Sequence, residues 1–264
     1  MPTRMIPDRF AANVAWLFTE LPWHDRFKAA REAGFARVEF PWPDDPVATA
    51  DAARAAGVAV AMLNMPAGDL AAGERGWPND PGRVREWRSA LHAAFELADA
   101  TGCRVINVLA GTALPGVSDA AQLQCLEANL RHALAEARAR GVTLVTELLN
   151  REENPDYLLV TVDDAEPLLE RLAPRGWRLQ LDTYHLGLTD HDVAGAIRRV
   201  GRHIGHVQLA DVPGRHEPGT GELDWTAIAA ALDEVGYRGT IGLEYRPEVG
   251  LDWIDALGGT LGAT

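Results

Sequence analysis

With 264 residues, 47% of them hydrophobic and 24% charged, the chain is long enough for one large α/β domain with a sizeable core. Its formal charge of −13 argues against a phosphate backbone or an anionic membrane as partner. Cys103 and Cys125 stand in no metal-type spacing, which argues against a disulfide scaffold. No apolar run approaches the ~18 residues of a membrane-spanning helix, and Met1 to Arg9 lacks a signal-peptide pattern, so the expected location is the cytoplasm.

Phe10 to Phe18 reads as a first strand, and Trp23 to Ala33 carries apolar residues at helical spacing before Gly34. Phe35 to Phe40 is a short second strand with Glu39 near its end. Pro41, Pro43 and Pro46 then forbid helix until an alanine-rich helix that runs to Ala56. Val58 to Asn64 is the third strand. Pro66 to Gly82 is too long and glycine-rich for a mere joint and is expected to cover something. A helix over Arg83 to Thr101 leads to a fourth strand, Arg104 to Leu109. Ser118 caps a long helix ending at Gly141. The fifth strand ends at Glu147, Asp163 opens the next helix, and the sixth strand ends at Asp182. Asp190 or Asp192 opens a helix to Val200, and the seventh strand ends at Gln208. Asp211 to Leu223 is a second long loop. Asp224 starts a helix ending at Gly236, the eighth strand ends at Glu244, and Ile254 to Leu261 reads as a last short helix. Eight strand–helix units in 264 residues predict an α/β fold, a single-domain (β/α)8 TIM barrel over residues 1–264. A doubly wound open sheet would want a G-x-G-x-x-G turn after the first strand, and none is present.

Four apolar runs in the last half of the chain end in oxygen-bearing side chains: Glu147, Asp182, Gln208 and Glu244, at steps of 35, 26 and 36 residues. In a parallel barrel such ends converge on the mouth where barrel enzymes keep their chemistry. Three carboxylates and an amide form an all-oxygen set suited to a hard divalent cation, Mg²⁺ or Mn²⁺, and unlike a structural zinc site. Without a cation the carboxylates would repel one another and raise at least one pKa. The two glutamates are also candidates to move protons.

Specific stretches resemble the hydroxypyruvate isomerase family, within the xylose-isomerase-like barrels. They are Phe10-Ala11-Ala12-Asn13, the run from Asn64 to Asp69 with Ala71 to Gly76, and Asp182-Thr183-Tyr184-His185. His206 to Asp211, Gly214 to Glu222, and Gly242-Leu243-Glu244-Tyr245 complete the set, so the likeness spans nearly the whole chain. The resemblance implies metal binding by Glu147, Asp182, Gln208 and Glu244, with Glu147 and Glu244 as the acid–base pair. It also supports His185 as a residue that hydrogen-bonds a substrate oxygen. One loop departs from the family pattern: Glu147-Leu148-Leu149-Asn150 is followed by Arg151-Glu152-Glu153-Asn154-Pro155-Asp156 in place of an Asp-x-Pro-Gly turn.

The expected activity is interconversion of hydroxypyruvate and tartronate semialdehyde (2-hydroxy-3-oxopropanoate), a proton transfer between adjacent carbons; a metal-assisted hydride shift is the competing route. The partner is thus a small hydroxy-oxo acid or sugar-like molecule, with no nucleic acid and no membrane; homo-oligomerisation is left open, since no stretch identifies an interface. Arg75 and Arg215, one on each long loop, are candidates for the substrate carboxylate. Asn64 and Asn107 are candidate cavity residues, whereas His206 and Glu39 read as structural or as supports behind the site, and the tryptophans as packing. A 2-oxo-tetronate isomerase or ketose epimerase is the nearest rival. A metal-dependent endonuclease or hydrolase would want a histidine-rich zinc cluster and a basic groove. A non-catalytic binding protein would be expected to lack one of the two proton-transfer carboxylates.

Overall fold

Each end of the strand–helix pattern meets the other. The computed structural model describes residues 6–190 and 192–261; the stretch read for a leader, Met1 to Arg9, lies partly outside them. Its strands are β1 (Phe10–Asn13), β2 (Arg37–Phe40), β3 (Ala59–Asn64), β4 (Val105–Asn107), β5 (Thr143–Glu147), β6 (Arg178–Asp182), β7 (Ile204–Leu209) and β8 (Ile241–Leu243). They are parallel, follow chain order and close into a barrel through the β1–β8 pairing. Around them lie α1 (Asp25–Glu32), α2 (Pro46–Ala56), α3 (Val84–Thr101), α4 (Asp119–Arg140), α5 (Val162–Leu172), α6 (Thr183–Thr189), α7 (Val193–Val200) and α8 (Trp225–Glu234). A π turn at Ile254–Gly258 runs into the single-turn α9 (Gly259–Leu261). None of the described helices is long and apolar enough to cross a membrane.

Helix starts follow side-chain chemistry. The Asp45 side chain accepts from the Ala48 N–H at 2.9 Å ahead of Pro46, and Ser118 accepts from Ala121 at 3.3 Å. The fifth helix opens two residues earlier than expected. Thr161 caps it, and Asp164 returns the bond to the Thr161 N–H in a capping box. The expected first strand to Phe18 stops at Asn13, whose carbonyl accepts from Trp16 and Leu17 while its Oδ1 accepts from Ala15. The apolar run therefore continues as a turn. Helix α6 was not foreseen: Asp182 ends β6 and also caps α6 by accepting from the Tyr184 N–H at 2.9 Å. The seventh strand extends to Leu209, and Glu244 stands one residue past β8 rather than ending it.

Alternation sets what faces the barrel interior. Gln180 and Asp182 on β6, and His206 and Gln208 on β7, lie two apart and share a face. Register levels their ends: Glu147 pairs with Gln180, Asp182 with Gln208, Gln208 with Gly242, and Asn13 with Glu39. The barrel is thus polar toward its carboxyl mouth, while apolar side chains pack its outer face against the helices. Trp87 and Trp177 are among the largest fully buried side chains, in keeping with the tryptophans as packing residues.

Candidate active site

Three carboxylates and one guanidinium meet at the mouth. Glu147 and Asp182 are buried at the ends of β5 and β6; Glu244 is reached from the loop after β8. Arg215 comes from the loop after β7, at a backbone φ of 59°, which few side-chain-bearing residues adopt. Its Nη2 donates to Asp182 Oδ2 and to Glu244 Oε1, each at 2.7 Å, and its Nη1 lies 3.8 Å from Glu153 Oε2. Trp16 and Tyr184 sandwich the guanidinium, with ring centroids 4.5 and 4.9 Å away.

The electrostatics of this cluster are unbalanced. Burial and then the charge of Asp182 push the Glu147 carboxyl up to about 8. Burial raises Asp182 to about 6 against the pull of Arg215. Burial likewise holds Glu244 well above the usual carboxylate range, again opposed by Arg215. Burial works against the Arg215 cation, but Asp182, Glu244, Glu147 and Glu153 outweigh it. One cation among these carboxylates leaves negative charge uncompensated, which is the condition that favours a second, divalent one.

Glu147, Asp182 and His185 each bring a possible ligand atom within 4.8 Å of the others, so this buried triad could hold a metal. The hydrogen bonds of His185 point elsewhere. Its Nδ1 accepts from the Asn150 backbone N–H at 3.3 Å and lies 2.6 Å from Asn150 Nδ2. Two donors on Nδ1 put the ring hydrogen on Nε2, which faces Glu147 and Asp182 at 3.9 and 3.8 Å. Burial, then Arg215 and Arg75, keep the ring neutral by lowering its pKa well below the ordinary value. In this tautomer His185 is a donor aimed into the cluster.

Gln208 lies in the same group, but its amide offers N–H₂ to the cluster. Nε2 donates to Glu39 Oε1 at 2.7 Å and closely to Glu244 Oε2, while Oε1 accepts from Gln180 Nε2 at 2.6 Å. Presenting the carbonyl oxygen to a cation requires the amide to turn. The buried Gln180 Oε1 has no partner among the described residues, and a matching turn of the Gln180 amide would bring it to the Gln208 N–H₂. The donor set therefore fits a hard cation through Glu147, Asp182 and Glu244 directly, and through Gln208 after that rotation.

The remaining candidates separate. Asn107 joins the cluster, its Nδ2 donating to Glu147 Oε2 at 2.9 Å. Asn64 ends β3, and its buried Oδ1 has no partner among the described residues; no hydrogen bond ties it to the carboxylates. Arg75 is held by its own loop. It donates to the Leu70 and Glu74 carbonyls at 2.9 and 2.8 Å and to Asn154 Oδ1 at 2.6 Å, bordering a cavity of about 270 Å³ beside Glu153. A larger groove, lined by Arg178, Arg202 and His203, lies where β6 and β7 begin, at the other end of the barrel. Sequence reasoning overlooked Trp16, Glu153 and Tyr184, whose hydroxyl donates to Glu153 Oε1 at 3.1 Å. Glu153 sits in the loop that departs from the family pattern. Trp16 carried no signal beyond an apolar run.

Residues 27–258 match the model of the xylose isomerase-like TIM barrel family. The chain is 39% identical over 254 residues to the 2-oxo-tetronate isomerase of Cupriavidus necator, covering 93% of this chain and 97% of that one. It is 34% identical over 253 residues to the hydroxypyruvate isomerase of Escherichia coli K12, covering 94% and 98%. Among solved structures, a Brucella melitensis protein described as an AP endonuclease of family 2 superposes with a TM-score of 0.88 at 36% identity, over 94% of this chain and 98% of the other.

Proposed function

We propose, from the premise that the chain belongs to the xylose isomerase-like TIM barrel family and to its hydroxypyruvate and 2-oxo-tetronate isomerase branch, that it interconverts hydroxypyruvate and 2-hydroxy-3-oxopropanoate. The observation that carries this reading is geometric: Glu147 and Glu244 belong to one buried cluster, Glu147 beside Asp182 and Glu244 on the same Arg215 nitrogen that holds Asp182. A carboxylate can take a proton as base and, once protonated, return it as acid. One glutamate removes the proton from C3 of hydroxypyruvate, and the electron pair of that bond forms the enediolate. The other delivers a proton to C2, and the hydroxyl proton passes from the C3 oxygen to the C2 oxygen, leaving an aldehyde at C3. His185 donates from Nε2 to a substrate oxygen, its tautomer fixed by Asn150. Arg215, once relieved of balancing the cluster, offers its fork to the substrate carboxylate. Mg²⁺ or Mn²⁺ held by Glu147, Asp182, Gln208 and Glu244 would supply positive charge beside the two reacting oxygens.

A second reading has its own support. The Cupriavidus necator relative acts on 2-oxo-tetronate, which is hydroxypyruvate with a hydroxymethyl group on C3, and the same proton transfer serves both. The divergent loop carrying Glu153, which lies 3.8 Å from Arg215, also borders a cavity with room for a longer substrate. A nucleic-acid-cleaving role is disfavoured by the charge of −13 and by the single metal-competent triad, with one histidine, among the described residues.

Proton NMR in D₂O with Mg²⁺ tests the reaction on both substrates. Metal-dependent product carrying deuterium at carbon is expected. Glu147→Gln and Glu244→Gln should each lower kcat by about 10³-fold or more while the protein stays folded. Retention of more than a few per cent of activity in either variant would remove that residue from the acid–base pair.

A further inference from the structure

Beneath the carboxylate cluster lies another carboxylate, Glu39, with 0% of its surface exposed. A barrel interior has no stabilising use for such a charge unless each oxygen is partnered. Both are. Oε1 accepts from Asn13 Nδ2 at 3.1 Å and Gln208 Nε2 at 2.7 Å, and Oε2 lies 2.6 Å from His206 Nε2. The same two amides serve the cluster above. Asn13 Nδ2 also donates to Glu244 Oε2 at 3.0 Å, and so does Gln208 Nε2. An amide N–H₂ has two hydrogens, so each amide can give one to each carboxylate. The buried carboxylate thereby sets which way both amides face, and the amides set where Glu244 stands.

The neighbouring strand is cut to fit. A Cβ on Gly242 would stand 2.2 Å from Glu39 Oε1 and 2.3 Å from Oε2. Gly242 is not among the left-handed residues, so its need is for space rather than for a turn. Strand β8 omits a side chain where β2 inserts its carboxylate.

We propose that Glu39 is a positioning residue, which aims Glu244 at the substrate through the Asn13 amide, with Gln208 adding a second bridge while its N–H₂ faces the two carboxylates. The kinetic part of this rests on the reading of Glu244 as a proton carrier; the placement part does not. Crystal structures and steady-state kinetics of Glu39→Gln and Gly242→Ala test both. In each variant the Glu244 carboxylate is expected to leave its place by about 1 Å or more, with kcat down about ten- to a hundredfold and KM for hydroxypyruvate changed by less than about twofold. In a Glu39→Ala background, adding Gly242→Ala should cost no further kcat, because the methyl then enters vacated space. Glu244 unmoved, or kcat above about half that of the unsubstituted protein, would overturn the proposal. If neither variant folds, Asn13→Ala removes one bridging amide, leaves the Glu39–His206 pair whole, and carries the same expectation for Glu244. Should the unsubstituted protein turn over neither oxo acid, the isomerase reading falls, and the crystallographic position of Glu244 still decides this one.

Discussion

The two long mouth loops present the same kind of sequence and reach opposite ends. Both are rich in glycine, both carry one candidate arginine, and each is built on buried or half-buried carboxylates. In the loop after β3, Glu74 accepts from the Asp69 N–H at 2.8 Å, from Trp77 Nε1 at 2.9 Å and from Arg83 Nη1 at 2.5 Å. This ring closes within the loop, while the Arg75 side chain is taken up by the Leu70 and Glu74 carbonyls and by Asn154 of the loop after β5. In the loop after β7, Asp211 gathers the N–H groups of Val212, Gly219 and Leu223 and the Trp225 indole. Glu217 reaches out of that loop instead. Its Oε1 accepts from the N–H groups of Glu248, Val249 and Gly250 at 2.8, 3.0 and 2.8 Å. That clasp joins the loop to the segment after β8, the Arg215 carbonyl accepts from Arg246 at 2.7 Å, and the Arg215 side chain is left to face the carboxylates. Both arginine carbonyls are tied outside their own loops, Arg75 to the Gly111 N–H at 3.0 Å and Arg215 to Arg246; the difference lies in what the side chains meet, neutral oxygens for Arg75 and carboxylates for Arg215.

The sharpest way to break this contrast is to remove each arginine in turn. Arg215→Lys should lower kcat/KM for hydroxypyruvate by about a hundredfold, since an ammonium cannot replace a bidentate fork held between two rings. Arg75→Ala should cost about threefold or less, a loop-ordering effect. Comparable losses measured side by side would erase the distinction.

Glu217→Ala should act next most strongly. It orphans three N–H groups, and should cost about 2–4 kcal/mol by chemical denaturation together with roughly a tenfold loss in kcat/KM as Arg215 loosens. A stability loss with unchanged kcat/KM would detach the clasp from Arg215.

The smallest expected effect is in pH, where the loop after β3 and the carboxylate cluster should differ in sign. The Trp77 indole, the Asp69 amide and Arg83 hold Glu74 down to about 2, so what it contributes to stability is present above its ordinary range and fades as pH falls toward 2. Glu147 is raised to about 8, so its contribution is present below the ordinary carboxylate range and is lost as pH rises through 8. Thermal unfolding of chelator-treated protein should therefore weaken from about pH 5 to 8 through the mouth, and Mg²⁺ should reverse that slope. A slope unchanged by Glu147→Gln would place the effect elsewhere.

Much of this layout was legible in the chain. Glu147 and Asp182 end apolar runs spaced as strand–helix units, and both reach the mouth because a parallel barrel leaves them no other place to go. The Asp182 cap of α6 was hidden because one aspartate has two oxygens, one bonded to the next helix and one to Arg215. Glu39 was underweighted because a lone acid within Phe35 to Phe40 looks like strand punctuation; only its pairing with a missing side chain at Gly242 reveals its place. The facing of the Gln208 amide and the engagement of Arg75 depend on partners dozens of residues away, and no local pattern encodes them.

The bond from Asn13 to Glu244 spans 231 residues. During synthesis, the first strand therefore leaves the ribosome long before its partner exists. The amide that joins Glu39 to Glu244 gains its second partner only when the last strand arrives, so closing the barrel and completing the carboxylate cluster coincide. A chain halted short of β8 would lack both the strand pair that closes the barrel and the last carboxylate of the cluster.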